Sequence, residues 1–218
     1  MTDATVATVI DADRPAPLRL RHRPVQRRGK VRFEGILQAS RELLRERGIE
    51  GFVVEDVAER AGIPVGSVYQ FFPNKLAIVA ELSEVDTQAL TQILIDAASE
   101  IAFEDWRLVV DDLFALVLER WVLDPSRSAV WLAMKSTAAT RSMAAEQSRR
   151  VALLLAPLLG LMNPALSPHR LEVSAEVLVE AVQSILLLAF RGPEPSDEVM
   201  LEAKRVVRAY LRAVSLDR

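Results

Sequence analysis

From residue 30 onward, apolar residues recur every three or four positions, the period of a helix face, so the pattern predicts helices and no strands. The first stretch, residues 30–47, sets Phe33, Ile36, Leu37, Ser40, Leu43 and Leu44 on one stripe and Arg41, Glu42, Arg45 and Glu46 opposite. Gly48 stops it, because glycine tolerates the left-handed conformation that closes a helix. Two short patterns follow. Residues 54–61 carry Val54, Val57, Ala58 and Ala61, and residues 65–71 carry Val65, Val68 and Phe71, with Phe72 just beyond. Gly62-Ile63-Pro64 turns the chain between them, and small residues stand at Ala58, Ala61, Gly62 and Gly66, where two helices cross closely. The stretch 51–75 reads as a helix-turn-helix, with Ser67, Tyr69, Gln70 and Lys75 left for an outward face that suits a major groove.

Asn74 is a good N-cap, and the pattern after it runs helically to about residue 103 through Leu76, Val79, Leu82, Val85, Leu90, Ile93, Leu94, Ala97 and Ile101. Further helices are predicted at about 106–123, with Val109, Val110, Leu113, Phe114, Val117 and Trp121 facing inward, then at 126–139, 141–161, 168–191 and 196–214. The expected fold class is all-α: a three-helix helix-turn-helix domain at 27–75 and a helical regulatory and dimerisation domain at 76–218. Residues 1–26, with Pro15, Pro17 and Pro24 and no periodicity, are expected to form a flexible basic arm.

Charge changes this picture more than composition does. The 218 residues are half hydrophobic and carry a net charge of −3, which by itself argues against a nucleic-acid binder. Its distribution reverses that. Arg14, Arg19, Arg21, Arg23, Arg27, Arg28, Lys30 and Arg32 crowd residues 14–33 without an acid, whereas residues 81–112 hold many acids against Arg107 alone. Such a dipolar molecule approaches a phosphate backbone in one orientation, and an arginine-rich arm can follow phosphates or enter a minor groove. Without cysteine there are no disulfides and no thiolate chemistry. The longest apolar stretch, 177–190, is broken by Glu180, Gln183 and Ser184 and is shorter than the roughly 20 residues of a membrane span. With no signal-peptide pattern at the start, a cytoplasmic protein without membrane contact is expected.

The residues Val57-Ala58-Glu59-Arg60-Ala61-Gly62, Gly66-Ser67-Val68-Tyr69-Gln70-Phe71-Phe72 and Asn74-Lys75, after a long first helix ending at Gly48, resemble the TetR-type transcriptional regulators over about residues 31–79. The resemblance implies a helix-turn-helix protein that binds double-stranded operator DNA as a homodimer, with Tyr69 and Lys75 holding phosphates. One departure stands out. Where relatives often place a threonine N-cap, this chain has Val53, which can neither cap the second helix nor donate to a phosphate.

On the residues themselves, Ser67 and Gln70 can hydrogen-bond base edges and Val65 can pack on a thymine methyl. Pro64 presets the helix start, and the N–H groups of Val65 and Gly66 can face a phosphate. Arg27, Arg28, Lys30 and Arg32 complete the expected DNA-binding set. A small hydrophobic effector is expected among Leu94, Leu113, Phe114, Val117, Trp121, Trp131, Met134, Lys135, Arg141 and Gln183, a few polar groups around an apolar site. The same aromatics and methionine can equally fill a solid core. Dimerisation is expected through Leu178, Val182, Ile185, Leu186, Ala189, Val207 and Leu211, because the helix at 168–191 is apolar nearly all round.

Enzyme readings find little support. His22 and His169 are far apart and in unlike contexts, and no nucleophile elbow, phosphate-cradling glycine loop or nucleotide fingerprint occurs. No cofactor or metal is implied. The expectation is a repressor released from a palindromic operator by its effector. The alternatives are a helical DNA-binding protein controlled by a protein partner, and a helical enzyme with a vestigial head.

Overall fold

The computed structural model describes residues 14–101, 115–117, 119, 122, 124, 126–192 and 195–216, and all regular structure among them is helical. A 3-10 turn at Ala16–Leu18 precedes α1 (Arg27–Arg47), α2 (Val54–Arg60), α3 (Val65–Tyr69) and α4 (Lys75–Ile101). After them come α5 (Ser126–Met134), α6 (Ala138–Met162), α7 (Pro168–Ala189) and α8 (Asp197–Leu216). Most of the helix expected at 106–123, including Leu113, Phe114 and Trp121, lies outside the described residues.

The chain divides into two compact units. The first takes the described residues up to Val85 together with Ala129–Ala144, and the second takes Asp86–Ser128 together with the described residues from Ala145 onward. The head is thus larger than the three helices expected at 27–75, since it includes the start of α4, most of α5 and the start of α6.

The core of the first unit follows the sequence stripes. Phe33, Ile36, Leu43 and Leu44 of α1 meet Val57 and Ala58 of α2, Val68 of α3, and Ile78, Val79 and Leu82 of α4. Phe52, Phe71 and Phe72 fill the space between them, and Met134 and Met143 join the same cluster. The Phe33 ring stacks on Phe72 at 4.9 Å and meets Phe71 edge-on at 5.5 Å, the two geometries that the ring quadrupole favours. Gly48 and Gly62 are at φ 64° and 66°, a region in which a side chain would be strained, and each ends a helix there. Asn74 caps α4, its Oδ1 accepting from the Ala77 N–H at 3.0 Å.

Two boundaries differ from expectation for local reasons. The break between α5 and α6 falls at residues 135–137, because Thr137 and Thr140 cap α6 reciprocally, each hydroxyl oxygen accepting the other's backbone N–H at 3.2 Å. At the N-terminal end, residues 14–26 are a packed strap where a flexible arm was expected, with Leu18 fully buried in the head core. Asn74 Nδ2 donates to the Pro17 carbonyl at 2.9 Å, and α1 starts at Arg27, three residues before the predicted 30.

In the second unit, Leu94 of α4 packs with Val151, Ala152, Ala156 and Leu159 of α6, Ala175 and Val179 of α7, and Ala203, Val207 and Leu211 of α8. Polar ties close the bundle. Asn163 Nδ2 donates to the Val214 carbonyl at 2.9 Å, and the Tyr210 hydroxyl donates to the Ser174 carbonyl at 3.3 Å.

The strap gives this fold a direct test. Leu18→Ala should lower the unfolding free energy by about 2–5 kcal/mol, the usual loss for a fully buried leucine. Urea denaturation would measure it, and a loss below about 0.5 kcal/mol would mean that Leu18 is not core.

Candidate nucleic-acid interface

α3 presents an exposed edge made of Pro64, Val65, Gly66 and Gln70, with Ser67 and Tyr69 half-buried. Pro64, at φ −59° and ψ 140°, is extended and delivers the chain into the first turn at Val65. The inward residue of this short helix is Val68, and the two residues after its C-cap, Phe71 and Phe72, are buried as well. Tyr69 packs part of its ring on the same core.

Ion pairs lash α2 to α1. Arg60 makes a two-pronged bridge to Glu46 at 2.7 and 2.8 Å, and Arg47 bridges Asp56. The hydrogen bond from Arg60 outweighs the opposing effect of burial and holds the Glu46 carboxyl below the usual carboxylate range. A lowered folded-state pKa means that this link is intact at neutral pH and is lost only as the pH falls through that lowered value. Val53 is exposed and makes no side-chain cap on α2, as its chemistry requires.

Lys75 has a structural role that the resemblance did not carry. Its ammonium donates to the Ile49 carbonyl at 2.9 Å and to the Phe52 carbonyl at 3.1 Å, so the first residue of α4 ties down the loop between α1 and α2. One of its three donors remains. Arg27, Arg28, Lys30 and Arg32 are exposed at the start of α1, whose first turn holds no acid. Cations there oppose the helix dipole, an arrangement that an outside anion relieves.

The other expected sets are rearranged. Of the effector residues that are described, Trp131, Met134, Lys135 and Arg141 belong to the first unit and Leu94, Val117 and Gln183 to the second, so neither unit gathers them all. Met134 is fully buried head core. Lys135 sits over the Trp131 ring at 4.6 Å, and Arg141 Nη1 donates to the Lys135 carbonyl at 3.1 Å. Gln183 accepts a hydrogen bond from Ser148 Oγ at 3.2 Å and Leu94 is core, both within the second unit. Of the dimer residues, Leu186, Ala189, Val207 and Leu211 are buried inside their own chain, and Leu178, Val182 and Ile185 are half-buried against the same core. The outward apolar positions are instead Val173, Val177 and Leu188 on α7 and Leu201 and Val206 on α8. Among the described residues no group of acidic or histidine side chains could hold a metal ion, and no helix is long and apolar enough to cross a membrane.

The bracing role of Lys75 predicts a stability effect. Lys75→Met should cost roughly 1–3 kcal/mol by leaving two partly buried carbonyls without their partner. Chemical denaturation measures this, and a change within about 0.5 kcal/mol would remove the brace from the account.

Comparison with known proteins agrees with the helix-turn-helix and with the helical body behind it. Residues 36–82 match the family described as bacterial regulatory proteins, tetR family, and residues 104–214 match the tetracyclin repressor-like C-terminal domain. The uncharacterized HTH-type transcriptional regulator YvdT of Bacillus subtilis (strain 168) is 35% identical over 71 residues, which span 32% of this chain and 36% of YvdT's own length. A TetR-family transcriptional regulator from Streptomyces coelicolor is similar in structure, with a TM-score of 0.60 at 29% identity over 84% of this chain and 99% of that one. SmeT in its triclosan complex shares the fold, with a TM-score of 0.61 at 22% identity over 84% of this chain and 90% of SmeT. With both its head and its body matched, this chain belongs to the TetR family and is a DNA-binding transcriptional regulator.

Proposed function

We propose that the protein is a homodimeric repressor that reads a palindromic operator with α3 and releases it when a small hydrophobic molecule binds the second unit. The observation that carries the DNA side is the set of exposed cations, Arg27, Arg28, Lys30 and Arg32, on the unfavourable end of the α1 dipole. A phosphate backbone supplies the missing anions. Ser67 and Gln70 then meet base edges, Val65 a thymine methyl, and Tyr69 and the third Lys75 donor a flanking phosphate. The work is non-catalytic and takes place in the cytoplasm with the genome.

The apolar residues left outward on α7 and α8, Val173, Val177, Leu188, Leu201 and Val206, support pairing with a second copy. A two-fold pair presents two reading helices for half-sites about 34–36 Å apart or a related spacing. The triclosan complex of SmeT supports a hydrophobic effector, and in this chain Ser148 and Gln183 form a polar pair in the unit that holds the apolar cluster of α6, α7 and α8. α4, like α5 and α6, belongs by sequence to both units and is one of the covalent routes between them. An effector moves the protein off DNA only as far as it prefers the released conformer. A swing from 99:1 to 1:99 needs about 5.5 kcal/mol of such preference.

One set of samples tests this reading. Wild-type protein should sediment as a dimer and shift an operator duplex, and small hydrophobic compounds, triclosan among them, should reverse the shift. Val177→Arg should sediment as a monomer and bind the duplex at least about tenfold more weakly, a loss of roughly 1.4 kcal/mol or more. A Val177→Arg protein that stays dimeric would move the interface elsewhere. A duplex released by no compound, but released by a protein in cell extract, would replace the small effector with a protein partner.

A further inference from the structure

Of the strap's four arginines, two reach a buried carboxylate, Arg19 Nε donates to the Arg14 carbonyl at 2.8 Å, and Arg21 does neither. Arg14 and Arg23 converge on Glu81 of α4, a carboxylate with 2% of its side chain exposed. Arg14 Nη2 and Arg23 Nη2 donate to Glu81 Oε2 at 2.8 and 2.9 Å, and Arg23 Nη1 reaches Oε1 at 2.8 Å. Both carboxylate oxygens are therefore occupied by cations, and Arg14 is itself buried. The Arg23 guanidinium also lies 5.9 Å from the centre of the Phe33 ring. These two arginines are consumed by the fold.

Arg21 is placed differently. Its backbone N–H donates to the Phe71 carbonyl at 2.8 Å, and the neighbouring His22 ring stacks on Phe71 at 6.1 Å. Phe71 follows Gln70, the C-cap of α3, so the strap backbone is fixed beside the end of the reading helix. The Arg21 side chain is exposed, and among the described residues no carboxylate pairs with it.

We propose that Glu81 is a positioning residue for DNA binding: by clamping Arg14 and Arg23 it holds the strap against the end of α3, and the strap presents Arg21 to a backbone phosphate. The inference rests on α3 being the DNA-reading helix. Arg21 makes the contact. Glu81, which has no access to DNA, acts only through the strap.

The test uses the full chain and a fluorescent random-sequence duplex, with binding read by anisotropy across a range of salt concentrations. Arg21→Ala should leave the thermal midpoint unchanged and reduce the slope of log affinity against log salt by about 0.9 for each bound subunit. Glu81→Gln should reduce the slope equally and speed hydrogen exchange at the Arg21 amide. If Glu81→Gln fails to fold, Arg23→Gln carries the same expectation at a position 35% exposed. Arg205→Ala, at an exposed side chain of the second unit, serves as the control with a wild-type slope. A wild-type slope in Arg21→Ala, or a freed Arg21 amide with an unchanged slope, overturns the proposal while leaving DNA binding by α3 intact. A wild-type protein that binds no duplex at any salt removes the DNA-reading assignment itself.

Discussion

A helix of five residues closes little more than one hydrogen-bonded turn, and nucleating that turn is unfavourable in water, so α3 cannot hold its own shape. It exists because Val68, Phe71 and Phe72 are locked beneath it against Phe33 and the rest of the head core. The remaining features of the first unit serve that constraint. Arg60 and Arg47 fasten α2 to α1, Lys75 ties the loop before α2 to α4, and Asn74 both caps α4 and holds the strap at Pro17. Each of these ties fixes a segment that flanks α3 or the core beneath it. Under the proposed function, such bracing is what places Ser67 and Gln70 for base contacts.

What the sequence disclosed and what it hid divide along one physical line, the range of the interaction. Features set by neighbours within a turn or two were legible: the α1 stripe, the glycine stops at Gly48 and Gly62, the Asn74 cap and the inward Phe71 and Phe72. The strap was not, because its proline and arginine content matches that of a solvated tail. Its partner Glu81 lies 67 residues from Arg14 and 58 from Arg23, among a run of acids that reads as surface. A charge pair of that separation leaves no local pattern.

The same reasoning accounts for the site residues that moved. α7 is apolar nearly all round, so periodicity could not separate the face that packs on α6 and α8 from the face left outward. Leu186 and Ala189 went inward while Val177 and Leu188 stayed out. On the amphipathic α8, Val207 and Leu211 are core positions and Leu201 and Val206 exposed ones, so the apolar residues expected at an interface serve the chain's own interior. Trp131 and Met134 have the composition of a ligand pocket, yet Met134 is fully buried in the head core and Trp131 packs against it. Composition identifies apolar matter without saying what it touches. On the DNA side Pro64, Val65, Gly66, Gln70 and the cations at the start of α1 are exposed, whereas Ser67, Tyr69 and Lys75 are half-buried. Lys75 alone acquired a competing duty, shared between two backbone carbonyls and whatever its third donor meets.

The central claim is that two copies of this chain read DNA together through α3. The most direct measurement is the enrichment of bound sequences from a pool of randomised duplexes, decoded after several rounds of selection. The account predicts a consensus with dyad symmetry, its half-sites separated by about one helical turn or a small multiple of it. A consensus without symmetry, or no enrichment over the starting pool, would contradict it.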